Sequence, residues 1–164
     1  MALISFKSKI VEAAKAAEMV QQWQGEHERV VFTNGCFDIL HRGHVEYLAK
    51  AAEKGSRLLL GLNTDSSVRR IKGPTRPIVD QESRAIVLAA LGFVDLIVLF
   101  DEDTPYELIK TVQPDVLVKG ADYKVEDIVG YDIVCERGGS VETISFVDGF
   151  STTQIIDKIA HELK

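Results

Sequence analysis

The run Leu58-Leu59-Leu60-Gly61-Leu62 is apolar throughout, and so is Leu96-Ile97-Val98-Leu99-Phe100. A strand with one wet face alternates apolar and polar residues. Uninterrupted runs of this length belong to strands buried on both faces, the condition inside a parallel sheet. Between these runs the period changes to three and four residues. Phe6, Ile10, Ala13, Ala17, Val20 and Trp23 predict an amphipathic helix, broken by Gln24-Gly25-Glu26-His27-Glu28. A first strand follows over 29–33. Val45, Leu48, Ala49 and Ala52 predict a helix that stops at Lys54-Gly55. Asn63-Thr64-Asp65 caps a short helix through Arg70, and 71–77, with Gly73, Pro74 and Pro77, is a loop. A helix is expected over 80–91. Thr104-Pro105-Tyr106-Glu107 matches a capping box with Pro at the first helical position. Val116-Leu117-Val118 predicts a strand ending at Lys119-Gly120, and a helix over 129–137, a strand over 141–146 and a helix over 151–163 complete the chain.

Strands alternating with helices at these lengths predict an α/β fold, a Rossmann-like, doubly wound parallel sheet of five strands with helices on both faces. The 164 residues fit one domain, an N-terminal helix over 1–28 and a Rossmann-like core over 29–164, and 46% hydrophobic content is enough to fill it. Ligands of such sheets bind at the carboxyl ends of the strands. The loops expected there, 33–44, 63–65, 119–123 and 148–153, hold most of the polar residues without an evident structural task. A net charge of −6 without a long basic run argues against non-specific nucleic-acid binding. No apolar stretch approaches membrane-spanning length, and Met1-Ala2-Leu3-Ile4-Ser5-Phe6-Lys7 lacks the order of a signal peptide. Cys36 and Cys135 lie far apart, outside any paired motif, as in a reduced, cytoplasmic setting.

The first strand runs into Thr33-Asn34-Gly35-Cys36-Phe37-Asp38-Ile39-Leu40-His41-Arg42-Gly43-His44. That is a strand, a tight loop, and a helix start bearing two imidazoles. Backbone N–H groups freed by the loop and the helix N-terminus form an anion site, to which imidazole adds charge or hydrogen bonds. Neither Gly-x-Gly-x-x-Gly nor a Gly-rich loop ending in Gly-Lys-Ser/Thr is present, so the two commonest nucleotide devices are absent. Two other readings of the histidines stand beside this one. In the first, His44 caps the helix and His41 sits in solvated loop; in the second, Cys36, Asp38, His41 and His44 hold zinc, at a spacing that fits no familiar pattern. Cys36 lacks a base partner and reads as packing. Asp38 either orients a backbone turn or binds a ligand. Lys72 is either a solvated lysine or a phosphate clamp, and Arg84 is a candidate partner of Glu82 or Asp80. Ser151 and Gln154 form a capping box, yet three hydroxyls at a helix start also suit a polyphosphate.

The loop residues 33–38 followed by His41-Arg42-Gly43-His44 resemble the signature of the nucleotidyltransferase superfamily with the His-x-Gly-His motif, a likeness extending from Val30 to about Ile159. Ser151-Thr152-Thr153 resembles its second signature, Ile-Ser-Thr-Thr. Gly61-Leu62-Asn63-Thr64-Asp65, the stretch 69–77 and Leu117-Val118-Lys119-Gly120-Ala121-Asp122-Tyr123 are similar to the branch that makes ADP-heptose. Glycerol-3-phosphate cytidylyltransferases carry Arg where this chain has Phe146 and lack a match to Lys119. The resemblance implies that a sugar 1-phosphate oxygen attacks the α-phosphorus of ATP, with Mg²⁺ held mainly by the phosphates and no dedicated metal site. It implies catalytic roles for His41, His44 and Lys72. Nucleotide contacts would come from Thr33, Asn34, Gly35, Cys36, Phe37, Gly43, Lys119, Gly120, Ser151, Thr152 and Thr153. Substrate contacts would come from Asp38, Asn63, Asp65, Arg76 and Asp122. It further implies a cytoplasmic step in lipopolysaccharide supply and a separate sugar kinase, because fused members carry a kinase for which this chain has no room. The alternatives are a transferase using CTP or GTP with another phosphorylated acceptor, and a nucleotide-binding module without turnover. The first helix either covers the core or joins a homo-oligomer.

Overall fold

The computed structural model describes residues 5–162; the readings of Met1 to Ile4 and of Leu163 lie outside them. Strands β1 (Val30–Gly35), β2 (Arg57–Asn63), β3 (Leu96–Phe100), β4 (Val116–Gly120) and β5 (Ser140–Ile144) form one all-parallel sheet in the order β3-β2-β1-β4-β5. The order reverses between β1 and β4, which leaves a crevice at their carboxyl ends. The fold class expected from the alternating runs is the one observed.

Side chains alternate between two cores. On one face Val31, Leu58, Leu60, Leu62, Val116 and Val118 meet α2 (Arg42–Ala52) and α4 (Gln81–Ala89) through Leu48, Ala51, Ala85 and Leu88. On the other, Phe32, Leu59, Leu96, Val98 and Leu117 meet α1 (Ala13–Gly25), α5 (Tyr106–Val112) and α6 (Tyr131–Glu136) through Ala16, Val20, Ile109 and Val134. The leucines of β2 at 58, 59, 60 and 62 are at most 1% exposed. Burial of each stabilises the fold by roughly 1.5–3 kcal/mol relative to exposure. Two further helices, α3 (Asp65–Lys72) and α7 (Thr152–Glu162), lie beside the crevice. The first helix covers the core.

Several boundaries differ from expectation. Residues Phe6–Lys9 form a separate 3₁₀ turn, after which Ile10 bridges to Ile97 and the Val11 N–H donates to the Ile97 carbonyl at 3.0 Å. Tertiary pairing along the edge strand overrides the helical period there. Gly25 ends the helix rather than breaking it, and His27 takes the positive φ of 64°. The Thr104 capping box is not made among the described residues: α5 begins at Tyr106, with Pro105 at the cap. In contrast, Thr64 and Asp80 accept the cap bonds from the Ser67 and Ser83 N–H groups. α3 continues to Lys72, ended by Gly73 at φ 102°. β5 ends at Ile144, so Phe146 leaves the sheet.

Candidate active site

A cavity of about 760 Å³ opens at the carboxyl ends of β1 and β4. The loop after β1, the end of α3, the segment after β4 and the entry to α7 all line it. Its size falls within the range of small-molecule sites.

His41 occupies the N-cap of α2 and makes no side-chain cap bond; His44 follows in the first turn. Their rings stack 3.7 Å apart at 22°, with the Phe37 ring edge-on to His44 at 5.5 Å. Gly43 makes room for this: a Cβ there would lie 3.0 Å from both His41 Cε1 and Phe150 Cβ. The Nδ1 atoms of both histidines are buried without a hydrogen-bond partner. Buried polar atoms are normally paired, so these two nitrogens are exceptions, and both rings line the cavity. The expected helix cap by histidine is therefore not made. The zinc alternative is not assembled either. Stacked, near-parallel rings do not converge their nitrogens on one ion, and no three His, Cys, Asp or Glu side chains gather into a metal shell among the described residues.

Burial lowers the pKa of both imidazoles, and for His44 the neighbouring His41 adds to the effect and carries it down to about 4. Both rings are thus neutral at pH 7, and each offers one N–H and one lone pair rather than a charge. Linkage fixes the sign of the pH effect. Between pH 6.5 and about 4 the unfolded chain binds a proton at His44 that the folded chain refuses. Stability therefore falls as pH falls through that window and is fully present above it. Denaturant melts at pH 7, 5.5 and 4.5 will show a steeper loss in the wild type than in His44→Phe; equal slopes would refute the assignment.

Cations line the same cavity. Lys119 Nζ donates to Asn34 Oδ1 at 3.0 Å, and burial, with the charge of Lys72 adding to it, lowers its pKa. Lys72 and Arg76 also line the cavity. Cys36 lines the cavity too, and burial raises the pKa of its thiol despite four nearby cations, Lys72, Arg84, Arg76 and Lys119. Ser151 Oγ accepts the Gln154 N–H at 3.1 Å, and Thr152 Oγ1 donates to the Asp38 carbonyl at 2.7 Å. Thr153, Gly35, Gly120 and Asp122 also line the cavity.

Of the remaining sequence candidates, Asp38 and Asn63 line the cavity, whereas Thr33 and Asp65 do not. The Asp38 carboxylate is 1% exposed and accepts from the Ile78 and Val79 N–H groups at 2.9 Å and from Arg76 Nε at 2.7 Å. Burial alone would raise its pKa, but these donors outweigh it and hold the group below its ordinary value. Asp38 thus orients a turn, and Arg76 is tied to it. Thr33 is buried with its hydroxyl 2.9 Å from that of Tyr47, outside the lining. Asn63 reaches the cavity while donating to Ser67 Oγ at 3.0 Å. Asp65 is held at 2.7 Å by Arg84 and does not line the cavity.

Arg84 corrects the sequence reading. It pairs with neither Glu82 nor Asp80; Asp80 instead accepts from the Ser83 N–H and hydroxyl. The Arg84 guanidinium donates to the carbonyls of Val79, Cys36 and Asn63 at 2.9, 2.6 and 2.9 Å and to Asp65. It thereby joins the loop after β1, the end of β2 and the entry to α4. An arginine among apolar helix neighbours (Ala85, Val87, Leu88) was the only signal. Phe146, Phe150 and Tyr123 in the lining were not singled out as contacts, since exposed aromatics carry no pattern in the chain. Chemically, the cavity offers neutral imidazole donors, fixed cations and a helix start, which suits a multiply charged phosphate ester.

The profile of the cytidylyltransferase-like family matches residues 32–158. Over 152 residues the chain is 53% identical to the bifunctional protein HldE of Magnetococcus marinus, covering 93% of this chain and 31% of that protein. With the protein of the same name from Campylobacter curvus it shares 56% identity over 154 residues, 94% of this chain and 32% of the relative. The chain therefore spans about a third of the length of these curated relatives. Among solved structures it resembles the lipopolysaccharide core biosynthesis protein from Thermoplasma volcanium, with a TM-score of 0.59 and 29% identity over 73% of this chain and 97% of the other.

Proposed function

The chain belongs to the cytidylyltransferase-like family, and from that membership we propose that it is an adenylyltransferase that joins ATP to a heptose 1-phosphate, giving ADP-heptose and pyrophosphate. The observation that carries this reading is the pair of stacked, neutral imidazoles with unpartnered Nδ1 atoms at the start of α2, in one cavity with Lys72 and Lys119. A phosphate oxygen of the sugar attacks the α-phosphorus as the bond to the bridging oxygen of pyrophosphate breaks in line. The nucleophile is already anionic, so no general base is required; positioning and charge stabilisation do the work. His41 and His44 donate to the α-phosphate oxygens as charge grows on them. Lys72 and Lys119 face the phosphates as point charges, and Thr152 and Thr153 offer hydroxyls at the start of α7. Mg²⁺ would be held mainly by the triphosphate and would supply charge neutralisation there.

The heptose choice is supported by the likeness of 61–65, 69–77 and 117–123 to the ADP-heptose branch and by the relatives' name. Those relatives are called bifunctional, and the part of them that this chain matches suits one of two activities. The solved relative's description supports a place in lipopolysaccharide core supply. In this reading residues 1–164 work as one transferase domain in the cytoplasm, and no described helix is long and apolar enough to cross a membrane.

Pyrophosphate release will be measured with ATP, CTP and GTP, each offered heptose 1-phosphate or glycerol 3-phosphate, in Mg²⁺. Release with ATP and the heptose phosphate alone is expected. Release with CTP and glycerol phosphate would keep the chemistry and overturn the branch; nucleotide binding without release in any pairing would leave a binding module.

A further inference from the structure

We propose that Phe146 is the platform on which the nucleobase stacks, and that Gly120 lacks a side chain in order to seat it. The inference rests on the adenylyltransferase reading and adds the means of holding the base.

Phe146 lies two residues past the end of β5, where Ile144 pairs with Gly120 of β4. Its ring stacks on Tyr47, with centroids 5.4 Å apart at 26°. A Cβ built on Gly120 would collide with the same ring. Gly120 has no positive φ to explain it, so the close approach of the ring is the reason a side chain is missing there. The underside is rigid as well: the Tyr47 hydroxyl sits 2.9 Å from Thr33 Oγ1, and Tyr47 is 5% exposed. One flank of the Phe146 ring is thus fixed against Tyr47 and Gly120, yet the residue remains 53% exposed and lines the cavity. A seated ring with a free face is what a flat aromatic ligand needs, because every base has a π-face to stack.

The position also suits a nucleotide. Tyr47, on which the platform rests, follows His44 by three residues on α2, about one helical turn along, and Phe146 lines the same cavity as both imidazoles. A base stacked there leaves its ribose to span the gap to an α-phosphate beside His41 and His44. Of the other aromatics near the helix start, Phe37 stands edge-on to His44 at 5.5 Å and Phe150 carries the Arg42 guanidinium at 5.3 Å.

The test uses the full chain and the variants Phe146→Ala, Phe146→Leu, Gly120→Ala and the Gly120→Ala/Phe146→Ala double. Calorimetric Kd for ATP and for tripolyphosphate is measured for each, with KM and kcat for both substrates. Phe146→Ala should weaken ATP about tenfold, within the range for losing one stacking partner, and leave tripolyphosphate unchanged. Phe146→Leu, which keeps apolar volume but no ring, should lose nearly as much ATP affinity, separating stacking from a folding defect. Gly120→Ala should copy Phe146→Ala and add nothing in the double variant. Equal weakening of ATP and tripolyphosphate, an effect confined to KM of the sugar phosphate, or additive losses in the double variant would each overturn the platform. Wild-type protein that binds ATP but releases no pyrophosphate would refute the catalytic reading and leave the platform to be judged on Kd. Protein that binds no nucleotide would refute both.

Discussion

His44→Ala will lower turnover about 10²–10³-fold, the range for removing one preorganised donor to a developing oxyanion, equivalent to roughly 3–4 kcal/mol of transition-state stabilisation. The ring is held against His41 at 3.7 Å and braced edge-on by Phe37, so it needs no reorganisation to reach its target. Being neutral at pH 7, with its pKa pushed down to about 4, it acts as a hydrogen-bond donor rather than as a fixed charge. Salt should therefore change the wild-type and variant rates alike. The same substitution is expected to cost little stability. An unpartnered buried nitrogen carries a penalty of about 1–3 kcal/mol, and deleting it offsets much of the packing lost with the ring. Single-turnover rates together with a thermal melt check both halves. An unchanged rate would remove His44 from the chemistry, and a collapsed melt would make it a structural residue.

Arg84→Ala should give the largest loss of stability among changes near the cavity, roughly 3 kcal/mol, with a fall in Tm on the order of 10 °C. The Arg84 side chain is 1% exposed, and its removal strands the carbonyls of Val79, Cys36 and Asn63 at once. Asp65, its counterion, is 23% exposed and can turn to water, which keeps the loss toward the lower end for a broken buried pair. Lys at this position keeps the charge but not the planar fork, so Arg84→Lys should recover only part of the Tm. Because the three carbonyls belong to segments that frame the cavity, kcat in Arg84→Lys should fall even at temperatures where it is fully folded. A Tm within 2 °C of wild type for Arg84→Ala, read by calorimetry, would contradict the role.

What the chain determined by itself is whatever rests on neighbours in sequence. Unbroken apolar runs at 58–62 and 96–100 required strands with two buried faces. Alternation with helical periods then required a doubly wound parallel sheet, and caps such as Thr64, Asp80 and Ser151 needed only a partner three residues away. The loop after β1, with its two histidines at the start of a helix, was legible for the same reason.

Tertiary structure decided everything that depends on residues far apart in the chain. Asp38 was ambiguous because its partners, Arg76, Ile78 and Val79, lie about forty positions away, and only their N–H groups show that its carboxylate holds a turn. Lys119 meets Asn34 across 85 residues, and Thr152 meets the Asp38 carbonyl across 114. Arg84 looked like a helix-surface charge until folding surrounded it with three carbonyls. Phe146 was merely a departure from a pattern until β5 ended at Ile144 and released its ring onto Gly120 and Tyr47. Periodicity and capping are short-range consequences of backbone geometry, so they can be read along the chain. Which polar group satisfies which buried partner is settled only by the packing of the sheet, because an unpaired group costs more there than any local preference supplies.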